Sequence, residues 1–397
     1  MPSLSKKIDR IEESQTIAIT SLARKLRAEG KNIISLSAGE PDFPTPENVK
    51  LAAINAIQNN FTKYTQNEGM PELREAVAEK FRSDNHLNVK AANILISSGG
   101  KHSIFNALQT ICNPGDEVII PAPYWVSFPE MVKLVDAVPV ILPTKEERGF
   151  TFTAEDVKPL LSRKTKAIIV NSPSNPTGSV LDEETLRGIA QLANDNDFFI
   201  ISDEIYEKII YDGHKHFSVG SIPEAQDKVI TTGGVSKAYS MTGWRIGFMA
   251  ANEEIINRAA KIQSQVTSNP SSISQAAALE AVRGTQSEIE KMRLAFQHRR
   301  DIIIEKLVKI DGLTVTNPGG AFYFFPSVKS LFGRKYDGQT LKNSIDVTHY
   351  LLAEARVALV PGAAFGSDEH IRISYAYSEK ELTEAIDRIA SAISRLR

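Results

Sequence analysis

The middle of the chain contains short apolar runs rich in branched side chains, a pattern that predicts strands. Seven such runs stand at 93–97, 117–121, 138–142, 166–171, 198–202, 228–232 and 245–250. Stretches with helical periodicity separate most of them. Over 101–112, for example, one helical face carries Ile104, Phe105, Leu108 and Ile111. This alternation predicts an α/β fold in which helices flank a mostly parallel seven-stranded sheet.

The pattern changes near residue 287. From there we expect a long charged helix to about residue 309, and a terminal helix beginning at Glu379. Between these helices, strands are predicted near 313–316, 321–325, 358–360 and 370–374. This mixture indicates a smaller α+β domain. We expect an N-terminal arm and the start of the small domain over 1–45, a large domain over 46–290, and the C-terminal small domain over 291–397.

Composition narrows the classes of function. The 397 residues are 42% hydrophobic and 24% charged, as in ordinary globular proteins. Because 46 basic residues face 48 acidic ones, we expect neither nucleic acid nor a membrane surface as a partner. With one cysteine, Cys112, no intramolecular disulfide can form. The N-terminal residues lack the apolar core of a signal peptide, so we expect a cytoplasmic location.

Several common chemical motifs do not occur. Neither Cys-x-x-Cys nor His-Glu-x-x-His is found, and the one close histidine pair, His214 and His216, stands in a polar loop. We expect these two histidines to be solvated, and we predict no metal site. The sequence also lacks the glycine-rich dinucleotide motif, the phosphate-binding loop of nucleotide hydrolases and the Gly-x-Ser-x-Gly elbow. Nucleotide and serine-hydrolase chemistry therefore lose their main support.

Four polar segments follow predicted strands, at the edge where open α/β sheets bind ligands. The segment 97–101 reads SSGGK and precedes the helix of 101–112, so its backbone N–H groups can approach an anion. The segment 172–178 reads SPSNPTG, and 202–206 reads SDEIY, with Asp203 leaving an apolar strand. The segment 236–245 reads SKAYSMTGWR and places a lysine and an arginine eight residues apart.

Together these segments resemble, in order and spacing, the class I and II aminotransferases of the fold-type I pyridoxal-phosphate family. The resemblance covers essentially the whole chain. The segments AGEPDF at 38–43, PYWVS at 123–127 and GGK at 99–101 look like the subgroup of aspartate and aspartate/prephenate aminotransferases. The resemblance implies that the large domain binds pyridoxal 5′-phosphate and that both chain ends build the small domain. One departure is Gly234, which stands where some aspartate aminotransferases carry a phosphate-binding serine.

The resemblance implies three catalytic residues. Lys237 would form the imine with the cofactor and then move the substrate proton, while Asp203 keeps the pyridine nitrogen protonated. Tyr206 would donate a hydrogen bond to the phenolic oxygen of the cofactor. The implied cofactor-binding residues are Gly100, Lys101, Trp125, Asn175, Asp203, Tyr206, Ser236, Lys237, Arg245 and Tyr64. Because Tyr64 matches a tyrosine that reaches the neighbouring subunit's phosphate, the resemblance also implies a homodimer.

The same resemblance implies a substrate site for amino acids and 2-oxo acids. Arg372 would grip the α-carboxylate, and Lys101 the second carboxylate, with hydroxyls near Ser14 and Thr16. The implied substrate-binding residues are Gly39, Lys101, Trp125, Asn175, Arg372 and Thr16. The expected reaction is transamination between L-aspartate and 2-oxoglutarate, giving oxaloacetate and L-glutamate.

Alternatives remain open at this point. Conversion of prephenate to arogenate is an additional expected activity, favoured by Thr16 and Lys101 and disfavoured by Glu12, since many prephenate-active relatives carry Lys or Arg near that position. A pyridoxal-fold carbon–sulfur lyase, or an aminotransferase of aromatic or neutral amino acids, would use the same lysine. An effector-sensing domain of a transcription regulator would need a basic DNA-binding segment, and none is seen before Ala38.

Overall fold

The computed structural model describes residues 2, 4–13 and 15–397, with the backbone alone for residues 15–17. Its helices are α1 Gln15–Ala28, α2 Glu47–Gln58, α3 Pro71–Asn85, α4 Gly100–Ile111, α5 Ser127–Leu134, α6 Ala154–Val157, α7 Glu183–Asn196, α8 Glu253–Val266, α9 Ser272–Arg283, α10 Ser287–Leu307, α11 Ser344–Glu354 and α12 Glu379–Ile393. Its strands are β1 Ile34–Ser35, β2 Ile94–Ser97, β3 Glu117–Ala122, β4 Val138–Pro143, β5 Thr165–Asn171, β6 Phe199–Asp203, β7 Val229–Gly234, β8 Gly247–Ala250, β9 Tyr323–Phe324, β10 Lys335–Tyr336, β11 Gln339–Thr340, β12 Val357–Ala358, β13 Val360–Pro361 and β14 Ile371–Ser374.

The largest sheet has seven strands in the order β2-β8-β7-β6-β5-β3-β4. The strands from β7 to β4 run parallel, whereas β8 is antiparallel to both of its neighbours. The seven predicted strands and the mostly parallel sheet are therefore confirmed. Because parallel strands all end at one edge, the polar segments that follow β5, β6 and β7 come together there.

Both faces of this sheet are buried, which explains why its strands are continuously apolar in sequence. Along β5, Ile168 and Val170 pack into the core that contains α7, whereas Ala167 and Ile169 pack into the core that contains α4 and α8. Successive side chains of a strand point to opposite faces, so one strand serves two cores. The sheet is thereby a rigid support for the loops at its edge.

Local sequence signals fix where several helices begin. Asp182, Asn252 and Ser378 precede α7, α8 and α12, and each side chain accepts a hydrogen bond from a backbone N–H in the first turn. The start of α4 differs, because Gly99 precedes it with φ of 92°, a conformation that favours glycine. No side chain of the described residues caps α4, so its first backbone N–H groups remain available to a ligand.

A second, smaller unit combines segments from both ends of the chain. The strands β13, β14 and β9 form an antiparallel sheet, and β1 near the N-terminus pairs in parallel with β12. Ile34 and Leu36 share a hydrophobic core with Leu307, Phe324 and Ile386. The predicted α+β unit built by both chain ends is confirmed; the boundaries at residues 45/46 and 290/291 stay predictions.

Two expectations about the small unit are wrong in detail. The stretch 313–316 is not a strand, because within the described chain only Thr314 of this stretch forms a bridge, with Ser327. The predicted strand 358–360 is divided into β12 and β13, which pair with different partners on either side of Leu359.

Within the described chain, no helix combines the length and apolar character that crossing a bilayer requires.

Candidate active site

A cavity of about 570 Å³ opens at the carboxyl edge of the seven-stranded sheet, between it and the smaller unit. It brings together eleven side chains or backbones predicted from the sequence: Gly39, Gly100, Lys101, Trp125, Asn175, Asp203, Tyr206, Ser236, Lys237, Arg245 and Arg372. A larger groove of about 1220 Å³ lies along α12, but it contains none of the predicted residues whose side chains are described. We therefore take the smaller cavity as the candidate site.

Lys237 follows β7 and reaches across the cavity. Its ammonium donates a hydrogen bond to the backbone carbonyl of Gly39 at 2.6 Å. Removal of the ammonium from water lowers the pKa of Lys237 to about 8, and the positive charge of Arg372 adds to this effect. A substantial fraction of this lysine is therefore a neutral amine near pH 8, as a nucleophile or a proton acceptor must be.

Asp203 is the last residue of β6 and is 5% exposed. Burial raises its pKa to about 7, although the backbone N–H of Ile205 donates to Oδ1 at 3.3 Å. Among the described residues, no lysine or arginine forms an ion pair with this carboxylate. Because a buried charge without a partner is costly, the site suits a ligand that brings a cationic or proton-sharing nitrogen to Asp203.

Tyr206 stands on the turn after β6, and its hydroxyl shares a hydrogen bond of 2.7 Å with the hydroxyl of Tyr323. Burial raises the pKa of both phenols. Tyr323 also lines the cavity, and the sequence reading missed it. It belongs to the aromatic run 322–325, where nothing distinguishes a site tyrosine from a core tyrosine, so no sequence signal marks it.

Arg372 enters the cavity from β14 of the smaller unit. It donates to Asn175 Oδ1 at 2.9 Å and to the carbonyl of Ser37 at 2.5 Å, and its guanidinium lies 4.6 Å from the centre of the Tyr323 ring. Its Nε is buried and has no hydrogen-bond partner among the residues that the structure describes. A buried guanidinium with an unused donor is suited to a carboxylate ligand.

Gly99 and Arg245 form an anion cradle at the start of α4. A Cβ on Gly99 would lie 2.3 Å from Arg245 Nη2, so the guanidinium packs directly against the backbone that leads into the helix. Ser236 is buried at the same end of the cavity. Helix N–H groups, an arginine and a hydroxyl together supply the donors that a phosphate dianion requires.

The structure gives a steric reason for the departure at Gly234. This residue pairs with Gly247 across β7 and β8. A Cβ at Gly234 would lie 2.8 Å from the carbonyl oxygen of Ile246, closer than such atoms approach. A serine therefore does not fit here without a shift of β8, and Ser236 and Arg245 remain the described side chains at this end of the cradle.

Lys101 and Trp125 stand on another wall of the cavity. The Lys101 ammonium lies 4.9 Å from the centre of the Trp125 ring, and partial burial together with the charge of Arg245 lowers the pKa of Lys101. Arg24, which the sequence reading missed, lines the cavity from α1. No sequence signal distinguishes Arg24, because α1 also carries Lys25 and Arg27.

Among the predicted residues that the structure describes in full, Tyr64 alone is not brought into this cavity. Tyr64 is 91% exposed on the surface, so its expected role toward a neighbouring subunit stays a prediction. Ser14 and the side chain of Thr16 lie outside the described residues.

The expectation that both loop histidines are solvated is wrong for His216. His214 is exposed, but the His216 side chain is 11% exposed and its Nε2 lies 2.8 Å from Glu204 Oε2. The polar composition of the loop hid this, because the partner carboxylate comes from the end of β6, twelve residues earlier in the chain.

Comparisons with known proteins agree with this geometry. The family model described as aminotransferase class I and II matches residues 31–389. The chain is 47% identical to an aspartate aminotransferase of Bacillus sp. (strain YM-2), over 97% of this chain and 98% of the relative. It is 45% identical to a probable aspartate/prephenate aminotransferase of Rickettsia bellii, over 100% of both chains.

Solved structures give the same result. The aspartate aminotransferase of Rhizobium meliloti superposes with a TM-score of 0.96 at 41% identity, covering 100% of both chains. The aspartate aminotransferase of Thermus thermophilus with maleate superposes with a TM-score of 0.94 at 42% identity, covering 99% of this chain and 100% of that one.

Proposed function

The chain belongs to the class I and II aminotransferases, and on that basis we propose that it transfers the amino group of L-aspartate to 2-oxoglutarate with pyridoxal 5′-phosphate as cofactor. One observation carries this proposal. A lysine with a lowered pKa, Lys237, faces the buried Asp203 carboxylate and the buried Arg372 guanidinium. Within the described part of the chain, Asp203 has no lysine or arginine in an ion pair and Arg372 Nε has no acceptor. These are the groups needed for attaching an aldehyde, stabilising a pyridinium and binding an α-carboxylate.

The described residues fit this cofactor. The cradle of Gly99 and Arg245 offers donors to a phosphate, and Asp203 lacks the cation that a ring nitrogen would supply. Trp125 offers an aromatic face at the cavity wall. When bound, pyridoxal phosphate supplies an electron sink for the pair released when the Cα–H bond breaks.

The chain's own groups account for the remaining steps. Lys237, as a neutral amine, accepts the substrate proton and returns it, and Gly39 accepts a hydrogen bond from its nitrogen. Arg372 binds the α-carboxylate through its unused Nε–H, and its bond to Asn175 fixes the plane of the guanidinium. The hydrogen bond between the hydroxyls of Tyr206 and Tyr323 holds a proton between these two oxygens.

Charge inside the cavity favours substrates with two carboxylates. Its lining contains five cationic side chains: Arg24, Lys101, Lys237, Arg245 and Arg372. In this proposal Lys237 supplies the reactive amine, Arg245 binds the phosphate and Arg372 binds the α-carboxylate. Lys101 and Arg24 remain, and together they match a second carboxylate on the substrate.

Prephenate is a second candidate acceptor, since it also carries two carboxylates. The Rickettsia bellii relative is named for aspartate and prephenate. Glu12, which argued against prephenate in the sequence, is exposed and is not part of the cavity lining. Its backbone N–H donates to Glu130 at 2.9 Å, so it belongs to the outer surface of α5. The cavity therefore offers prephenate the same cations as aspartate.

We also propose that the enzyme is a homodimer. The outer face of α2 exposes Leu51, Ile54 and Ile57, and the exposed apolar strip continues to Phe61 and Tyr64. A contiguous apolar strip of this kind is typical of a protein interface. Burying it against a second copy would bring Tyr64 toward that copy.

The cytoplasmic location stays a prediction.

A half-reaction screen tests the proposed function. Each amino acid is added separately to the purified cofactor-loaded protein, and the cofactor's absorbance is followed from the aldehyde to the amine form. We expect aspartate and glutamate to cause this change at concentrations where alanine and phenylalanine do not. Adding 2-oxoglutarate or prephenate should then restore the aldehyde form. Release of pyruvate from a cysteine conjugate, without any response to aspartate, would instead establish a carbon–sulfur lyase.

A further inference from the structure

A buried polar cluster lies behind the active-site strand β6, on the side away from the cavity. Its centre is Glu204, which is 2% exposed. One carboxylate oxygen accepts from Ser202 Oγ at 2.8 Å and Ser218 Oγ at 2.7 Å, and the other from Asn85 Nδ2 at 3.0 Å and His216 Nε2 at 2.8 Å. Four donors from three separate segments therefore hold this one side chain.

A second carboxylate, Glu207, belongs to the same cluster. It accepts from Asn85 Nδ2 at 2.6 Å and forms an ion pair with the Lys80 ammonium, which also donates to Asn85 Oδ1 at 2.7 Å. Lys80 and Glu207 side chains are 7% and 14% exposed. Two carboxylates thus face one permanent cation. The charges balance only if His216 carries the second positive charge.

The surroundings of His216 favour its protonated form. The charged groups facing it are Glu204, Glu207 and Lys80. Burial works against protonation, but the hydrogen bond to Glu204 and the attraction of both Glu204 and Glu207 together outweigh it, so the pKa of His216 is raised. Although the ligand atoms of both glutamates and His216 lie within 4.8 Å of one another, the Lys80 ammonium and the neighbouring amide and hydroxyl donors occupy their oxygens. Donors of the described residues therefore already satisfy the carboxylate oxygens of the cluster.

Glu204 connects this cluster to the cavity through one peptide bond. Asp203 faces the cavity, and the next residue, Glu204, faces the cluster. The Glu204 backbone N–H donates to the carbonyl of Thr232 on β7 at 2.8 Å, which extends the sheet by one bond beyond Asp203. The same turn carries Tyr206. Any change in how Glu204 is held will therefore alter the position and the electrostatic environment of the Asp203 carboxylate.

We propose that His216 is a positioning residue for Asp203: in its protonated form it neutralises Glu204 and fixes the turn over residues 203–206 that carries Asp203 and Tyr206 into the cavity. The inference rests on the proposed function only in assigning Asp203 to the cofactor's ring nitrogen. The charge and contacts of His216 belong to the folded chain and are independent of that assignment.

The first experiment measures His216 directly in the wild-type protein. The imidazole signals of isotopically labelled full-length protein are followed by NMR from pH 5 to 9, and His216→Gln identifies the signal. We expect a midpoint above ~6.5, the ordinary value for histidine. Glu204→Gln should lower this midpoint by about one unit, because the charged partner is lost. A wild-type midpoint at or below the ordinary value would overturn the proposal, since His216 would then be neutral.

The second experiment asks whether this charge reaches the cavity. The pH dependence of the absorbance of the cofactor-loaded protein is compared for the wild type, His216→Gln, and the matched control His214→Gln on the same loop. Without the positive charge of His216, the negative charge of Glu204 raises the pKa of nearby groups. In His216→Gln the pH at the midpoint of the absorbance change should therefore move upward by about 0.5 unit. His214→Gln should leave it unchanged.

The double variant Glu204→Gln/His216→Gln separates charge from mere structural damage. It restores the balance of one cation and one anion, so its absorbance midpoint should return toward the wild-type value. In the single variant we expect kcat for aspartate to fall about tenfold, with KM changing less than about twofold. A midpoint that stays shifted in the double variant, or an equal shift in His214→Gln, would overturn the proposal.

The two experiments also keep this proposal distinct from the proposed function. If no amino acid converts the cofactor in the wild type, the transamination proposal fails, yet the NMR midpoint still reports the charge of His216. If aspartate is converted normally by His216→Gln and the absorbance midpoint does not move, the transamination proposal stands and the role of His216 fails.

Discussion

The ammonium of Lys237 donates to the carbonyl of Gly39 across 198 residues of sequence, at 2.6 Å. A Cβ on Gly39 would lie 2.3 Å from the hydroxyl of Tyr323, so glycine is what allows this carbonyl to approach the lysine. The contact joins the large sheet to the N-terminal segment. It also places the Lys237 nitrogen beside the groups that we propose to bind the substrate.

Lys237 is expected to carry the cofactor. Borohydride reduction of the loaded protein followed by peptide mapping should place the pyridoxyl label on Lys237. Lys237→Ala should lower transamination by at least about a thousandfold, because both the attachment point and the proton carrier are lost. The exposed Lys261→Ala serves as control and should keep full activity. A label on Lys101 would contradict the assignment.

Asp203→Asn should bind the cofactor but react slowly. Losing the negative charge allows the ring nitrogen to deprotonate, which weakens the electron sink. We expect kcat/KM for aspartate to fall by more than about tenfold, equivalent to ~1.4 kcal/mol. Stopped-flow measurement of the half-reaction with aspartate checks this. A smaller change would show that the pairing with Asp203 does not drive the reaction.

The same substitution should stabilise the cofactor-free protein above neutral pH. Because the folded-state pKa of Asp203 is raised to about 7, its favourable contribution is fully present below ~pH 4 and is lost as pH rises through about 7. Urea unfolding should therefore show wild type and Asp203→Asn diverging between pH 4 and 7, with the variant more stable by up to ~4 kcal/mol at pH 8. The exposed Asp195→Asn should follow the wild type at every pH.

Lys101 and Arg24 should determine selectivity for dicarboxylic substrates. Lys101→Ala should raise the barrier for aspartate by about 1 kcal/mol, because this side chain is exposed, whereas alanine and phenylalanine change little because they carry no second carboxylate. Arg24→Ala should raise the barrier for aspartate by about 1 kcal/mol, since this side chain is exposed. Ratios of kcat/KM for aspartate and phenylalanine measure both effects.

The exposed Lys25→Ala on the same helix as Arg24 is the matched control. It is not part of the cavity lining and should leave these ratios unchanged. An equal loss for aspartate and phenylalanine in Lys101→Ala would show damage to the phosphate cradle instead, and the second carboxylate would then need another partner.

Mixing two inactive variants tests whether Tyr64 acts across subunits. Lys237→Ala lacks the reactive amine, and Tyr64→Ala should bind the cofactor weakly. In a hybrid dimer one site receives both defects and the other receives neither. After dissociation and random reassembly at limiting cofactor, activity should recover to about a quarter of the wild-type value. Lack of any recovery would mean that Tyr64 serves its own subunit or none.

Residues that follow a strand directly were the most predictable. Asp203 and Lys237 could be placed because an apolar strand with a polar residue at its end implies the carboxyl edge of a sheet. Arg24 and Tyr323 were not found from the sequence. Arg24 reaches the cavity from α1 and Tyr323 from the smaller unit, and their neighbours in sequence are ordinary helix and core residues. Their roles depend on how the two units meet, which periodicity does not encode.

The errors have equally local causes. At 313–316 the branched side chains favour a strand, but pairing requires a partner, and only Thr314 finds one. The residues at 358–360 are apolar throughout, so the change of partner at Leu359 is invisible in the pattern. His216 was misjudged because the loop composition is polar, whereas its burial is set by the distant carboxylate of Glu204.

The hydrogen bond from Arg372 to the carbonyl of Ser37 closes a loop of 335 residues. The end of the cavity that Arg372 lines is therefore incomplete until residues 37 and 372 have both been synthesised and brought together. Contacts of such long range form slowly, because the entropy of closing the loop must be overcome before the contact stabilises anything. A carboxylate ligand bound by Arg372, as we propose, stabilises only chains in which this contact has formed, so we expect its capture during refolding to lag behind formation of the large sheet.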